Sequence, residues 1–132
     1  MSAKAKLQQL RELATSQRKS DEVIRLGTEL LTKYDGGLLV ASQLGDEAWT
    51  VREFIFIACL DDLDEYEAQA AKLLKQLQDQ FGTKSLRVLR LKGMLHEAKG
   101  EFDEAAKLYS AILAEEPGFI VRGTLHSRPF KN

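Results

Sequence analysis

Residues 100–118, GEFDEAAKLYSAILAEEPG, decide the fold, because most of this stretch has a copy upstream. Ala105-Ala106-Lys107-Leu108 repeats Ala70-Ala71-Lys72-Leu73 at an offset of 35 residues. The same offset lays Leu89 on Phe54, Gly93 on Ala58, Tyr109 on Leu74, Ile112 on Leu77 and Pro117 on Gly82. The apolar members recur three and four residues apart, which is the spacing of one helix face. The repeated unit is therefore a pair of amphipathic helices. One such pair cannot bury its own apolar face, so neighbouring pairs stack, share a core and leave an extended surface of the kind that holds other proteins. The pattern points to recognition rather than catalysis.

Working outward, the rest of the chain reads the same way. Leu7, Leu10, Leu13 and Ala14 set out a first helix that should end near the polar run at 15–20. Ser20 or Asp21 is placed to cap a second, in which Val23, Ile24, Leu26, Leu30 and Leu31 form the apolar stripe before Asp35-Gly36-Gly37 stops it. Aligning Asp21-Glu22 with Asp103-Glu104 puts Leu26 on Leu108 and Leu30 on Ile112, so this pair is a divergent copy of the same unit. Val23 and Ala70 are 47 residues apart against 35 between Ala70 and Ala105, which leaves a surface insertion at about 36–45. A third helix should start near Asp46, a fourth run from about Glu65 to Gln80, a fifth follow Ser85 as its cap, and a sixth end before Pro117-Gly118. The expectation is an all-α fold of about three antiparallel helix pairs, at about 4–34, 46–80 and 85–116. These form one domain over 1–119, followed by an irregular tail at 120–132 in which Gly123 and Pro129 interrupt any long helix.

Composition narrows the function. The chain has 132 residues, enough for one modest domain, and its 19 basic and 20 acidic residues leave a formal charge of -1. No strong positive field is available for nucleic acid. Cys59 is the lone cysteine and sits in an apolar helical run, so it reads as a small buried hydrophobe in a reducing compartment. The longest apolar stretches, such as 54–60, fall far short of the roughly 20 residues that span a bilayer, and the amino terminus has no signal-like apolar core. His96 and His126 belong to no HExxH pair, metal-spaced cluster or triad with Cys59. Asp61, Asp62, Asp64 and Glu65 lack the spaced oxygen donors of a calcium loop and read as a solvated turn. No catalytic residue, cofactor, metal or small-molecule substrate is expected.

Counted from Leu86, Gly93 is the eighth residue, Ala105 the twentieth, Tyr109 the twenty-fourth, Ile112 the twenty-seventh and Pro117 the thirty-second. This resembles the tetratricopeptide repeat, although Lys92 and His96 stand where leucine and an aromatic are usual. The resemblance implies a right-handed superhelix with Ala58, Ala70, Leu74, Gly93, Ala105, Tyr109 and Pro117 as structural signature. Gly93 and Ala105 would let helices approach closely, Tyr109 would fill the gap to the next helix, and Pro117 would end the unit. It also implies that the first helix of each pair lines a concave side. Its inward positions would be Arg52, Ile55, Phe56 and Cys59, then Arg87, Arg90, Leu91 and Met94. Of these, Arg52, Phe56, Arg87, Arg90, Leu91 and Met94 are the candidates for holding an extended segment with acidic and apolar side chains. The plainer reading leaves these arginines solvated or paired with Asp62 and Glu97.

A longer likeness covers about residues 21–119. VIRLGTELLTKY at 23–34, Leu44-Gly45-Asp46-Glu47-Ala48-Trp49, Ile57-Ala58-Cys59-Leu60-Asp61, and RLKGMLHEAKGEFDEAAKLYSAILAEEP at 90–117 carry it. They resemble the amino-terminal part of the subunit 2 family of the endoplasmic reticulum (ER) membrane protein complex. That resemblance implies a non-catalytic cytosolic scaffold, peripheral on the ER membrane, with the other subunits of the complex as partners in supporting insertion of transmembrane segments. The alternative is a free-standing adaptor that binds a peptide in its groove. Family members continue with further helical repeats where this sequence reads IVRGTLHSRPFKN at 120–132. The outward face of the sixth helix is then expected to lack a polar capping helix, which predicts partner dependence or poor solubility.

Overall fold

A computed structural model describes residues 2–17, 19–34 and 44–115. Among these residues the regular structure is helical throughout, as the 3.6-residue periodicity requires. The helices are α1 (Ala3–Glu12), α2 (Ser20–Tyr34), α3 (Glu47–Cys59), α4 (Leu63–Phe81), α5 (Leu86–Ala98) and α6 (Phe102–Glu115). A π-helical turn at Leu13–Gln17 follows α1, and a 3-10 turn at Leu60–Asp62 joins α3 to α4. The polar run at 15–17 thus continues the helical path in a wider turn, with Thr15 Oγ1 donating to the Arg11 carbonyl at 2.6 Å. The insertion expected at about 36–45, the tail at 120–132 and Pro117 fall outside the described residues, apart from Leu44 and Gly45.

The described chain forms two compact units, one up to Leu73 and one from Leu74 onward, with the boundary inside α4. In the first unit, α1 packs on α2 and α2 on α3. Ser20 meets Asp61 while Gly27 meets Ile55, so α2 and α3 run in opposite directions. The core takes most of the apolar stripe expected from the sequence: Leu7, Leu10 and Leu13, then Val23, Ile24, Leu26 and Leu30, are buried, whereas Ala14 and Leu31 are half-buried at its margin. From α3 it takes Ala48, Val51, Ile55, Phe56, Ala58 and Cys59. No residue of α3 is fully exposed, which explains why its sequence is the most uniformly apolar of the six.

Two expectations about helix starts need correcting here. Ser20 is the first residue of α2, not its cap. The Val23 amide is satisfied by the Lys19 carbonyl at 2.9 Å, and the Ser20 hydroxyl is drawn away to the Asp61 carboxylate. Ser85 does occupy the position before α5, but its side chain makes no capping bond; its carbonyl accepts from the Leu89 amide at 2.8 Å. The fourth helix also has a composite start. Tyr66 leaves helical geometry at φ -115°, ψ 17°, so the long regular stretch begins just beyond it, close to the expected Glu65.

In the second unit, the last turns of α4 and helices α5 and α6 bury Leu74, Leu77, Val88, Leu91, Ala105, Tyr109 and Ile112. Glycines with positive φ end two of the helices. Gly82 (φ 95°) returns its amide to the Gln78 carbonyl at 2.8 Å, one α-turn back. After α5, Gly100 (φ 81°) donates to Glu97 O at 3.0 Å and Glu101 to His96 O at 2.8 Å, the paired bonds that close a helix and reverse the chain. A side chain at either glycine would strain the left-handed backbone. The reversal brings α6 back along α5, and there Tyr109 lies against Gly93: a Cβ on that glycine would sit 2.5 Å from Tyr109 Cε1. Tyr109 thus fills the gap left by the glycine of its own helix pair.

Candidate protein-binding surface

The residues singled out for binding divide into two groups according to burial. On α3, Arg52 is half-buried, with its guanidinium carbon 4.4 Å from the centre of the Trp49 ring and Nη1 donating to the Ala48 carbonyl at 3.3 Å. One turn further on, Phe56 has no exposed surface, and Ile55 and Cys59 are equally enclosed. On α5, Arg87 stacks over the Phe81 ring at 4.3 Å, and Arg90 Nη1 lies 3.6 Å from the Met94 sulfur. Leu91 between them is fully buried. Phe56 and Leu91 therefore pack the interior, and Arg52, Arg87, Arg90 and Met94 are the positions that reach the surface.

Flat stacking of a guanidinium on a ring is attractive by roughly 0.5–2 kcal/mol, depending on how far the pair is shielded from water. Its larger effect is to hold a long side chain in one place. A held cation loses less freedom on meeting a carboxylate than a free one would. Trp49 and Phe81 are the residues the sequence reading missed. Each lies three or six positions from its arginine, a signal that exists in the sequence but is shared by many unstacked pairs.

Cys59 is enclosed, and desolvation pushes its thiol up to about 11, so the thiolate needed for nucleophilic chemistry is scarce near neutrality. His96 Nδ1 lies 2.6 Å from Glu101 Oε1 and ties the end of α5 to the start of α6. Lys6 of α1 pairs with Glu29 of α2; the shared hydrogen bond raises the lysine and lowers the glutamate from their ordinary values. Arg11 pairs with Glu47, tying α1 to the start of α3. Among the described residues no cluster of His, Cys, Asp and Glu is arranged to hold a metal ion.

The signature positions occupy the packing roles their types suit. Ala58, Ala70 and Leu74 are buried, as are Gly93, Ala105 and Tyr109. On α6, by contrast, two large apolar side chains face solvent, Phe102 at 60% and Leu113 at 44% exposure.

None of the protein-family models matches the chain. Curated proteins do. ER membrane protein complex subunit 2 of Xenopus tropicalis is 38% identical over 101 residues, which is 76% of this chain and 31% of that protein. Subunit 2-B of Xenopus laevis is 36% identical over the same length. The subunit of Dictyostelium discoideum is 34% identical over 101 residues, 76% of this chain and 29% of its own. Over that span the chain is a homologue of ER membrane protein complex subunit 2. It spans about a third of the length of these relatives, whose name makes them parts of a multi-protein assembly at the ER membrane. No helix among the described residues is long and apolar enough to cross a membrane.

Proposed function

We propose that the chain is a non-catalytic scaffold element of the ER membrane protein complex. It lies peripherally on the cytosolic face of the ER membrane and supports insertion of transmembrane segments through contacts with other subunits. The observation that carries this reading is the 34–38% identity to the named subunit over 76% of the chain. In the same reading the six helices stack as a tetratricopeptide-like right-handed superhelix over about 1–119. The 35-residue offset supports this, since it pairs buried Ala58 with Gly93, Ala70 with Ala105, Leu74 with Tyr109 and Leu77 with Ile112. Arg52, Arg87, Arg90 and Met94 then serve as partner contacts.

The test is co-purification. An affinity-tagged chain expressed in cells and extracted with mild detergent is expected to recover the membrane-embedded subunits of the complex by mass spectrometry. Replacing Arg87 and Arg90 by glutamate should lower that recovery with helical ellipticity unchanged. Recovery of no subunit by the unaltered chain overturns the proposal.

A further inference from the structure

Two sulfur atoms lie among the described residues, and their surroundings give them opposite reactivity. Cys59 on α3 is fully enclosed and its thiol is pushed up to about 11, so an oxidant meets neither access nor thiolate. Met94 on α5 is half-buried, and a thioether reacts through a lone pair with no proton to lose. Arg90, four residues earlier and on the same helix face, donates from Nη1 to the Met94 sulfur at 3.6 Å. Thioether sulfur is a weak acceptor, so the bond makes little of a guanidinium that carries five N–H donors.

Oxidation changes the acceptor. When a peroxide meets the side chain, a sulfur lone pair attacks one peroxide oxygen and the O–O bond breaks; with hydrogen peroxide the second oxygen leaves as water. Sulfur gives up two electrons, the peroxide takes them, and an oxygen with partial negative charge now stands on the sulfur beside Arg90. A guanidinium draws such an oxygen in far more strongly than it does a thioether, at the short distances of charge-assisted bonds. We infer that Met94 is a site of reversible oxidation whose sulfoxide oxygen captures the Arg90 guanidinium. Methionine sulfoxide reductases reverse the step with electrons from thiols. The consequence for binding rests on the proposed function, in which Arg90 and Met94 are partner contacts. Donors turned onto the sulfoxide are withdrawn from a partner's carboxylate, and an apolar contact has become polar, so oxidation releases the partner.

The isolated chain tests the chemistry. After treatment with hydrogen peroxide, peptide mass spectrometry should find Met94 converted to sulfoxide at concentrations that leave Cys59 reduced, with circular dichroism unchanged and the chain in denaturant as reference. Reductases A and B each repair one sulfoxide epimer. Because the guanidinium favours oxygen on its own side, one enzyme should repair most of the native sulfoxide, and Arg90→Ala should narrow that split. In the co-purification, peroxide should lower subunit recovery by about tenfold, the scale of one lost hydrogen bond to a charged group, and the reductases should restore it. Met94→Leu and Arg90→Ala, whatever their starting recovery, should show no further loss with peroxide. The inference is overturned by a native Met94 that stays unoxidised while the denatured chain converts, by an epimer split that Arg90→Ala does not move, or by an equal peroxide-dependent loss in Met94→Leu. Loss of helical ellipticity on oxidation overturns it too, since the sulfoxide would then disrupt α5 packing instead of turning Arg90. An untreated chain that recovers no subunit overturns the proposed function instead, and the epimer split still decides whether Arg90 captures the oxygen.

Discussion

Replacing Gly93 by alanine isolates the contact on which the α5–α6 pair is built. The added Cβ would lie 2.5 Å from Cε1, 2.6 Å from Cζ and 2.9 Å from the hydroxyl of Tyr109. Carbon atoms rest about 3.5–4.0 Å apart, so the ring must retreat by about 1 Å. It has little room: Tyr109 is 2% exposed, packed with Ala105 and Ile112, and its hydroxyl donates to Glu97 at 3.4 Å. A ring is rigid, so no terminal methyl can rotate away. Overpacking of this kind costs about 1–3 kcal/mol, and a buried rigid ring belongs to the upper half of that range. Against it stands a gain of about 1 kcal/mol from replacing a helical glycine by alanine. The expected net loss is about 1–2 kcal/mol, read from urea unfolding followed at 222 nm. The same substitution in a Tyr109→Leu background, where the ring is gone, should be neutral or stabilising by up to about 1 kcal/mol, because only the propensity gain remains. A Gly93→Ala chain as stable as the parent, or an equal effect in both backgrounds, refutes the steric account.

Leu10 is fully enclosed, so Leu10→Ala should destabilise the first unit by about 2–5 kcal/mol in the same assay. Cys59, enclosed and with its thiol pushed up to about 11, should resist a disulfide reagent at pH 8 in the native chain and react within the mixing time in strong denaturant. The Lys6–Glu29 pair sets a direction in pH. Glu29 is held below its ordinary 4.5, so its contribution is present above that value and lost as pH falls through the lowered one; Lys6 is raised above 10.5, so its contribution persists below 10.5 and fades only above the raised value. The stability difference between the parent and Glu29→Gln should therefore be flat between about pH 5 and 10 and shrink in acid. A difference that grows on acidification would contradict the pairing.

Periodicity made the helices and their buried faces legible, because burial on one side of a helix leaves a 3.6-residue trace in the sequence. The offset of 35 residues carried burial from one copy to the other. Ala58 and Gly93 are both buried, as are Leu77 and Ile112. What left no trace were polar pairings between different elements. Lys6 with Glu29, Arg11 with Glu47 and Ser20 with Asp61 join positions 23, 36 and 41 residues apart, and no spacing rule singles out those partners from the other charged residues. Ser20 shows the consequence: its type and place favour a helix cap, but a carboxylate brought close by the antiparallel run of α2 and α3 competes for its hydroxyl and wins.

The binding candidates divide between core and surface for a related reason. Inward position counting on α3 and α5 treats every residue at a given register as equivalent, yet the register that points away from one neighbour points toward another. Phe56 and Leu91 are apolar and the core claims them; Arg52, Arg87 and Arg90 carry charges whose full desolvation would be costly, so their guanidinium groups stay half-buried, held against Trp49, Phe81 and Met94. Within one helical register, then, the chemistry of the side chain decides between core and surface; on α6, Phe102 and Leu113 are apolar side chains that the described core does not claim.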